Sequence, residues 1–142
     1  MIDMKFEGGK DLEKALMGLK RATAKAVARR VLKKSGQPVA DRTNANAPED
    51  SGNLAESYGV STRLSHAQRR KTRGQDRDDV FVYVGTNDPA GLQQEFGNVL
   101  HPAQPHLRPA WDALLPSVFK SIGDGMAVEI EKTVLRQRKK SK

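Results

Sequence analysis

The 142-residue chain has no cysteine. That absence removes a disulfide framework, a thiolate zinc site, an iron–sulfur cluster and a cysteine nucleophile together. Aromatic residues make up only 5% of the sequence, too few to interleave with basic residues as a base-stacking surface. No apolar run approaches the roughly 20 residues of a membrane span. The opening MIDMKFEGGKD also lacks the basic-then-apolar order of a signal peptide, so a cytoplasm-like compartment and no membrane partner are expected. No Walker loop, GxGxxG, HExxH or GxSxG is present. Three histidines, His66, His101 and His106, complete the short inventory of candidate chemistry. A metal set of His101, His106 and Glu95 can be drawn, but it falls on a loop broken by Pro102 and Pro105 and not on one helix face. Asp76, Asp78 and Asp79 lack the glycine and distal Glu that a calcium loop requires. No catalytic residue, metal or cofactor is assigned, and the chain is expected not to be an enzyme.

Positive charge is what the chain has in excess. Lys and Arg number 25 against 17 Asp and Glu, for a net charge of +8. Such a balance suits a polyanion or an acidic protein partner without choosing between them. Hydrophobic residues are 37% of the total, enough for one domain over residues 1–142 with a thin core of Leu, Val and Ala. Association with further copies would add to that burial.

The pattern along the chain predicts a small α+β domain. Residues 1–9 read as an extended arm, with Ile2, Met4 and Phe6 in alternation. Leu12, Leu16, Leu19, Thr23, Val27 and Val31 recur at helical spacing and predict a first helix of about 23 residues from Lys10. Its outer face is basic. Ser35-Gly36-Gln37-Pro38 is expected to interrupt it, with a second helical piece from Pro38 to about Asn46. After a turn at residues 47–54, Leu54–Leu64 and Val80–Gly85 read as two strands of a small antiparallel sheet. Between them Ser65–Asp79, nearly free of apolar residues, is expected as a long charged hairpin, mobile in the isolated protein. Gly91–Asn98 predicts one short helical turn. A last helix should start near Pro109, kinked or split at Pro116 and at Gly123/Gly125. Residues 136–142 are expected as a frayed basic tail.

Three short motifs stand in a definite order. Ala47-Pro48-Glu49-Asp50-Ser51-Gly52-Asn53-Leu54 resembles the AP-x-D-[ST]-G-x-L turn of small phage neck and tail proteins related to minor tail protein Z, the head–tail joining or tail-completion family. Glu95-Phe96-Gly97-Asn98 is similar to that family's E-[FY]-G-T motif, with Asn98 in place of Thr. Gln104-Pro105-His106-Leu107-Arg108-Pro109-Ala110 resembles its QP-F-LRPA motif, with His106 in place of an aromatic. The resemblance implies a structural protein of a long-tailed phage virion, made in the host cytoplasm and placed at the head–tail junction. It implies a ring of six copies that contacts neighbouring neck, connector, terminator or tail-tube proteins and lets genomic duplex DNA pass. A tail-terminator ring is the alternative within this class; a free basic nucleic-acid-binding protein is the alternative outside it.

The motifs also make physical sense alone. Pro48 ends a helix, and Gly52 allows a positive backbone angle for reversal into a strand. Glu95 can pair with Arg108 across the loop; Gly97, Pro105 and Pro109 set its turns, and Leu107 and Trp111 would anchor the last helix on the sheet. Candidate partner-facing residues are Glu95, Phe96 and Arg108, with the basic run Arg69, Arg70, Lys71 and Arg73 at the hairpin tip.

Overall fold

A computed structural model describes residues 9–48, 52–71 and 79–141. In chain order the elements are α1 (Gly9–Met17), α2 (Arg21–Asn46), α3 (Gly52–Ala55), β1 (Gly59–Ser61), α4 (His66–Lys71), β2 (Tyr83–Gly85), α5 (Pro89–Phe96) and α6 (Leu107–Lys140). The fold is α+β, as its sequence pattern predicts.

Two long helices carry the architecture. At 1.5 Å per residue, α2 and α6 extend about 39 Å and about 51 Å. They run antiparallel: Ser35 meets Ser121 at 3.2 Å between hydroxyls, and Arg30 meets Glu129 at 3.3 Å further along. One side of α2 faces α6 and another carries the sheet. There β1 pairs antiparallel with β2, Gly59 opposite Gly85, Val60 opposite Val84 and Ser61 opposite Tyr83. Val60 and Val84 lie over Gly36, where an added Cβ would stand 3.2 Å from a Val84 methyl. Val27, Val31, Val39 and Ala40 of α2 are buried, as are Ala110, Val118 and Ile130 of α6.

Several boundaries differ from the sequence expectation, each for a visible reason. The first helix does not run unbroken from Lys10. It stops at Met17, where Gly18 and Leu19 close a tight turn onto Lys14 and Leu16 and Leu19 is buried; glycine at 18 also has low helix propensity. Conversely, α2 passes straight through Pro38. Pro38 is exposed, so the Lys34 carbonyl it leaves unbonded can meet water, while Ser35, Gly36, Val39 and Ala40 are held by packing. Helix α6 is likewise unbroken at Pro116, which is exposed. Gly123 is buried and Gly125 sits against Val31, a Cβ there falling 3.1 Å from a Val31 methyl. Gly125 thus lets the helices approach closely where a split was expected.

The strands are shorter than predicted. Gly52 opens the brief α3 where a reversal directly into a strand was expected. Residues 66–71 of the expected hairpin form α4, capped reciprocally: the Ser65 hydroxyl accepts from Gln68 N at 3.3 Å and Gln68 Oε1 accepts from Ser65 N at 2.9 Å. Arg69, Arg70 and Lys71 therefore lie on a helix; Arg73 lies outside the described residues, as does the 1–8 arm. Leu107 packs on a small cluster of Ala47, Leu54 and Tyr58, but Trp111 is 42% exposed and does not anchor α6.

Candidate interaction site

The residues of the second and third motifs come together at the junction of α5 and α6. Helix α5 starts firmly, with Asp88 Oδ1 accepting from Ala90 N at 2.9 Å and Pro89 in the first turn. It ends at Gly97, whose φ of 75° lies in the left-handed region. The loop folds back so tightly that a Cβ on Gly97 would fall 2.7 Å from Ala103 N. Only glycine meets both conditions.

Glu95, 4% exposed, projects from the last turn of α5 toward the start of α6. Helix α6 begins at His106 without any side-chain cap of its own. Its first N–H groups find the Glu95 carboxylate instead. Oε2 accepts from His106 N at 2.8 Å and Leu107 N at 3.0 Å; Oε1 accepts from Arg108 N at 3.0 Å. Arg108 closes the clasp, donating from Nε to Oε1 at 3.0 Å and from Nη2 to the Glu95 carbonyl at 2.8 Å. A carboxylate at a helix N-terminus also meets the positive end of the helix dipole. Burial pushes the Glu95 carboxyl upward, but the three backbone N–H groups and the guanidinium overcome it and hold the group at about 2. The expected Glu95–Arg108 pair thus forms, within a larger clasp than sequence suggested.

His106 is buried beneath this clasp. Its Nδ1 donates to the Gln104 carbonyl at 3.1 Å, which leaves Nε2 to accept from the Tyr58 hydroxyl. The rings meet edge to face. Burial, followed by the nearby charges of Glu95 and Asp88, pushes the Tyr58 hydroxyl up to about 12. Tyr58 is tied back to α2 by Asn44, whose side chain bonds both its N–H and its carbonyl at 3.0 Å. Neither Tyr58 nor Asn44 was a sequence-derived candidate. Both ring nitrogens of His106 are thus engaged in hydrogen bonds, and His101 lies exposed on the loop; among the described residues no group of three His, Asp or Glu side chains could hold a metal ion.

The clasp presents a rigid apolar surface. Asn98 Oδ1 accepts from Leu100 N and His101 N, both at 2.8 Å, and Gln104 N donates to the Gln94 carbonyl at 2.7 Å. On this braced loop Val99 is fully exposed and Leu100 is 83% exposed; Leu92 and Phe96 on α5 are 66% and 62% exposed. The Arg108 guanidinium lies over the Phe96 ring, 4.8 Å from its centroid. The other candidates, Arg69, Arg70 and Lys71, lie on α4, a separate element of the fold.

A family model matches residues 10–97, from α1 to the Gly97 turn: that of the HK97-gp10-like family, described as a proposed bacteriophage tail component. The chain belongs to this family. It is a phage tail-associated structural protein, and hence part of the virion. The match ends at Gly97, so the Gln104–Ala110 motif lies beyond it. No curated protein and no solved structure was found to match the chain. Among the described residues no helix is long and apolar enough to cross a membrane.

Proposed function

We propose that this tail component is a tail-completion subunit at the head–tail junction, acting in a ring of identical copies through which the genome passes. The observation that carries the reading is the braced loop of Val99 and Leu100 with Leu92 and Phe96 beside it. Large apolar side chains held out on a hydrogen-bonded scaffold lose little freedom on docking, which is the property of an interface anchor. Closed rings of one chain are a common solution for such surfaces. In this reading the partners are further copies, the connector above, and the terminator or tube protein below. Genomic duplex is met without sequence preference, and the Arg69, Arg70, Lys71 and Arg73 cluster engages an acidic neighbour. The role is structural, with no catalytic step.

Complementation of a phage lacking the protein tests this. Val99→Asp with Leu100→Asp should leave the fold intact yet yield filled heads and separate tails by electron microscopy. Joined particles at the wild-type frequency would overturn the reading. Tails of irregular excess length would identify a terminator instead.

A further inference from the structure

On the far side of α2 from the sheet, an open groove of about 670 Å³ lies between α2 and α6. Its floor is apolar, formed by Val31, Gly125 and Val128; Lys34, Lys120 and Lys132 stand around it, with Asp124 the one carboxylate in the lining besides Glu129. Arg30 at its edge is committed to Glu129 at 3.3 Å. The three lysines are exposed, and no ion pair among the described residues engages them. A groove with an apolar floor and cationic lips fits a polypeptide segment that carries apolar side chains and carboxylates together. A DNA duplex is far too wide to reach that floor.

The chain contains a segment of this chemistry. Met1–Gly8, outside the described residues, alternates Ile2, Met4 and Phe6 with Asp3, Lys5 and Glu7. In the first thirteen residues four carboxylates stand against two lysines, within a chain of net charge +8. Fully extended, eight residues reach about 28 Å at most, while the groove from Ser117 to Lys132 of α6 measures about 22 Å. The helix that follows, α1, has no buried residue, and Met17 at its end is exposed.

We propose that this groove receives residues Met1–Gly8 of a second copy, with Ile2, Met4 and Phe6 on the Val31–Val128 floor and Asp3 and Glu7 facing Lys34, Lys120 and Lys132. This rests on the ring reading and specifies one of its contacts. The donor and acceptor surfaces differ, so the contact is head-to-tail and propagates around a ring.

Charge exchange between full-length chains tests it, with molar mass followed by light scattering against concentration. D3K/E7K and K34E/K120E/K132E should each weaken self-association by roughly tenfold or more. An equimolar mixture of the two should regain it, since each arm then meets a groove of opposite sign. Circular dichroism checks that the fold survives, which exposed lysines should allow. Association indifferent to both variants overturns the proposal and leaves the ring reading standing. So does a disulfide that forms within single chains of F6C/V128C, which would put the arm on its own groove. A wild-type chain that stays monomeric at every concentration also overturns it. The ring reading fails separately, by normal head–tail joining in the loop variant.

Discussion

Replacing Glu95 with Gln removes one charge and almost no volume, yet four N–H groups depend on that carboxylate. The substituted amide would present one acceptor oxygen and one NH₂ donor to a site built only of donors. At least one N–H at the start of α6, or the Arg108 guanidinium, then loses its partner. The carboxyl is held at about 2 against an ordinary 4.5, which by linkage is worth on the order of 3 kcal/mol. For a chain of this length that corresponds to a melting temperature lower by roughly 10 °C. The sign of the pH dependence follows from a depressed group: the stabilisation is full above about 4.5 and is lost as the pH falls toward about 2. Thermal unfolding followed by circular dichroism at several pH values is the assay. The gap between wild type and Glu95→Gln should be widest near neutral pH and close steadily below pH 4.5. A variant as stable as the wild type at neutral pH, or a gap unchanged down to pH 2, would refute the clasp as described.

Gly97→Ala should cost several kcal/mol, since it combines a positive φ with a Cβ 2.7 Å from Ala103 N; a melting temperature within a degree of wild type would contradict this. His106→Phe should lower stability by about 1–3 kcal/mol despite the similar ring, because the Tyr58 hydroxyl and Gln104 carbonyl lose their partner. Denaturant titration measures that loss, and Tyr58→Phe in the same background should largely recover it. Gly91→Ala places a Cβ 2.5 Å from a Thr86 methyl and 2.9 Å from the Tyr58 hydroxyl. Thr86 is fixed by its bond to the Ser57 hydroxyl at 2.6 Å, so about 1–3 kcal/mol of overpacking cost is expected in the same titration.

Much of the fold is legible from local pattern. The helical spacing of Val27, Val31 and their neighbours, the β-branched run at 80–85, and the helix after Pro105 predict the α+β plan. So do the three motifs that led to the phage family, because turns and periodicity are set by residues near one another in sequence. The Ser65–Gln68 capping pair was there to be read as a helix start, and the charge density around it hid that signal. Gly18 likewise marked a helix end inside a periodic stretch.

Tertiary structure alone decided what the breakers do. Pro38 and Pro116 fall on exposed faces of helices whose other faces are held by packing, so neither stops its helix. Gly125 lies at the seam with α2, where a missing side chain is a packing advantage and no longer a conformational weakness. The site shows the same division. Sequence supplied Glu95 and Arg108 as a pair, because opposite charges in adjacent motifs suggest one. That the carboxylate caps α6 depended on bringing the end of α5 to a helix start with no cap of its own, eleven to thirteen residues downstream. Tyr58, just before β1, reached the same place held by Asn44, and no local rule connects residue 58 to residue 106. Covalent order fixes which residues are near in the chain; burial and the need to satisfy every buried donor fix which are near in space.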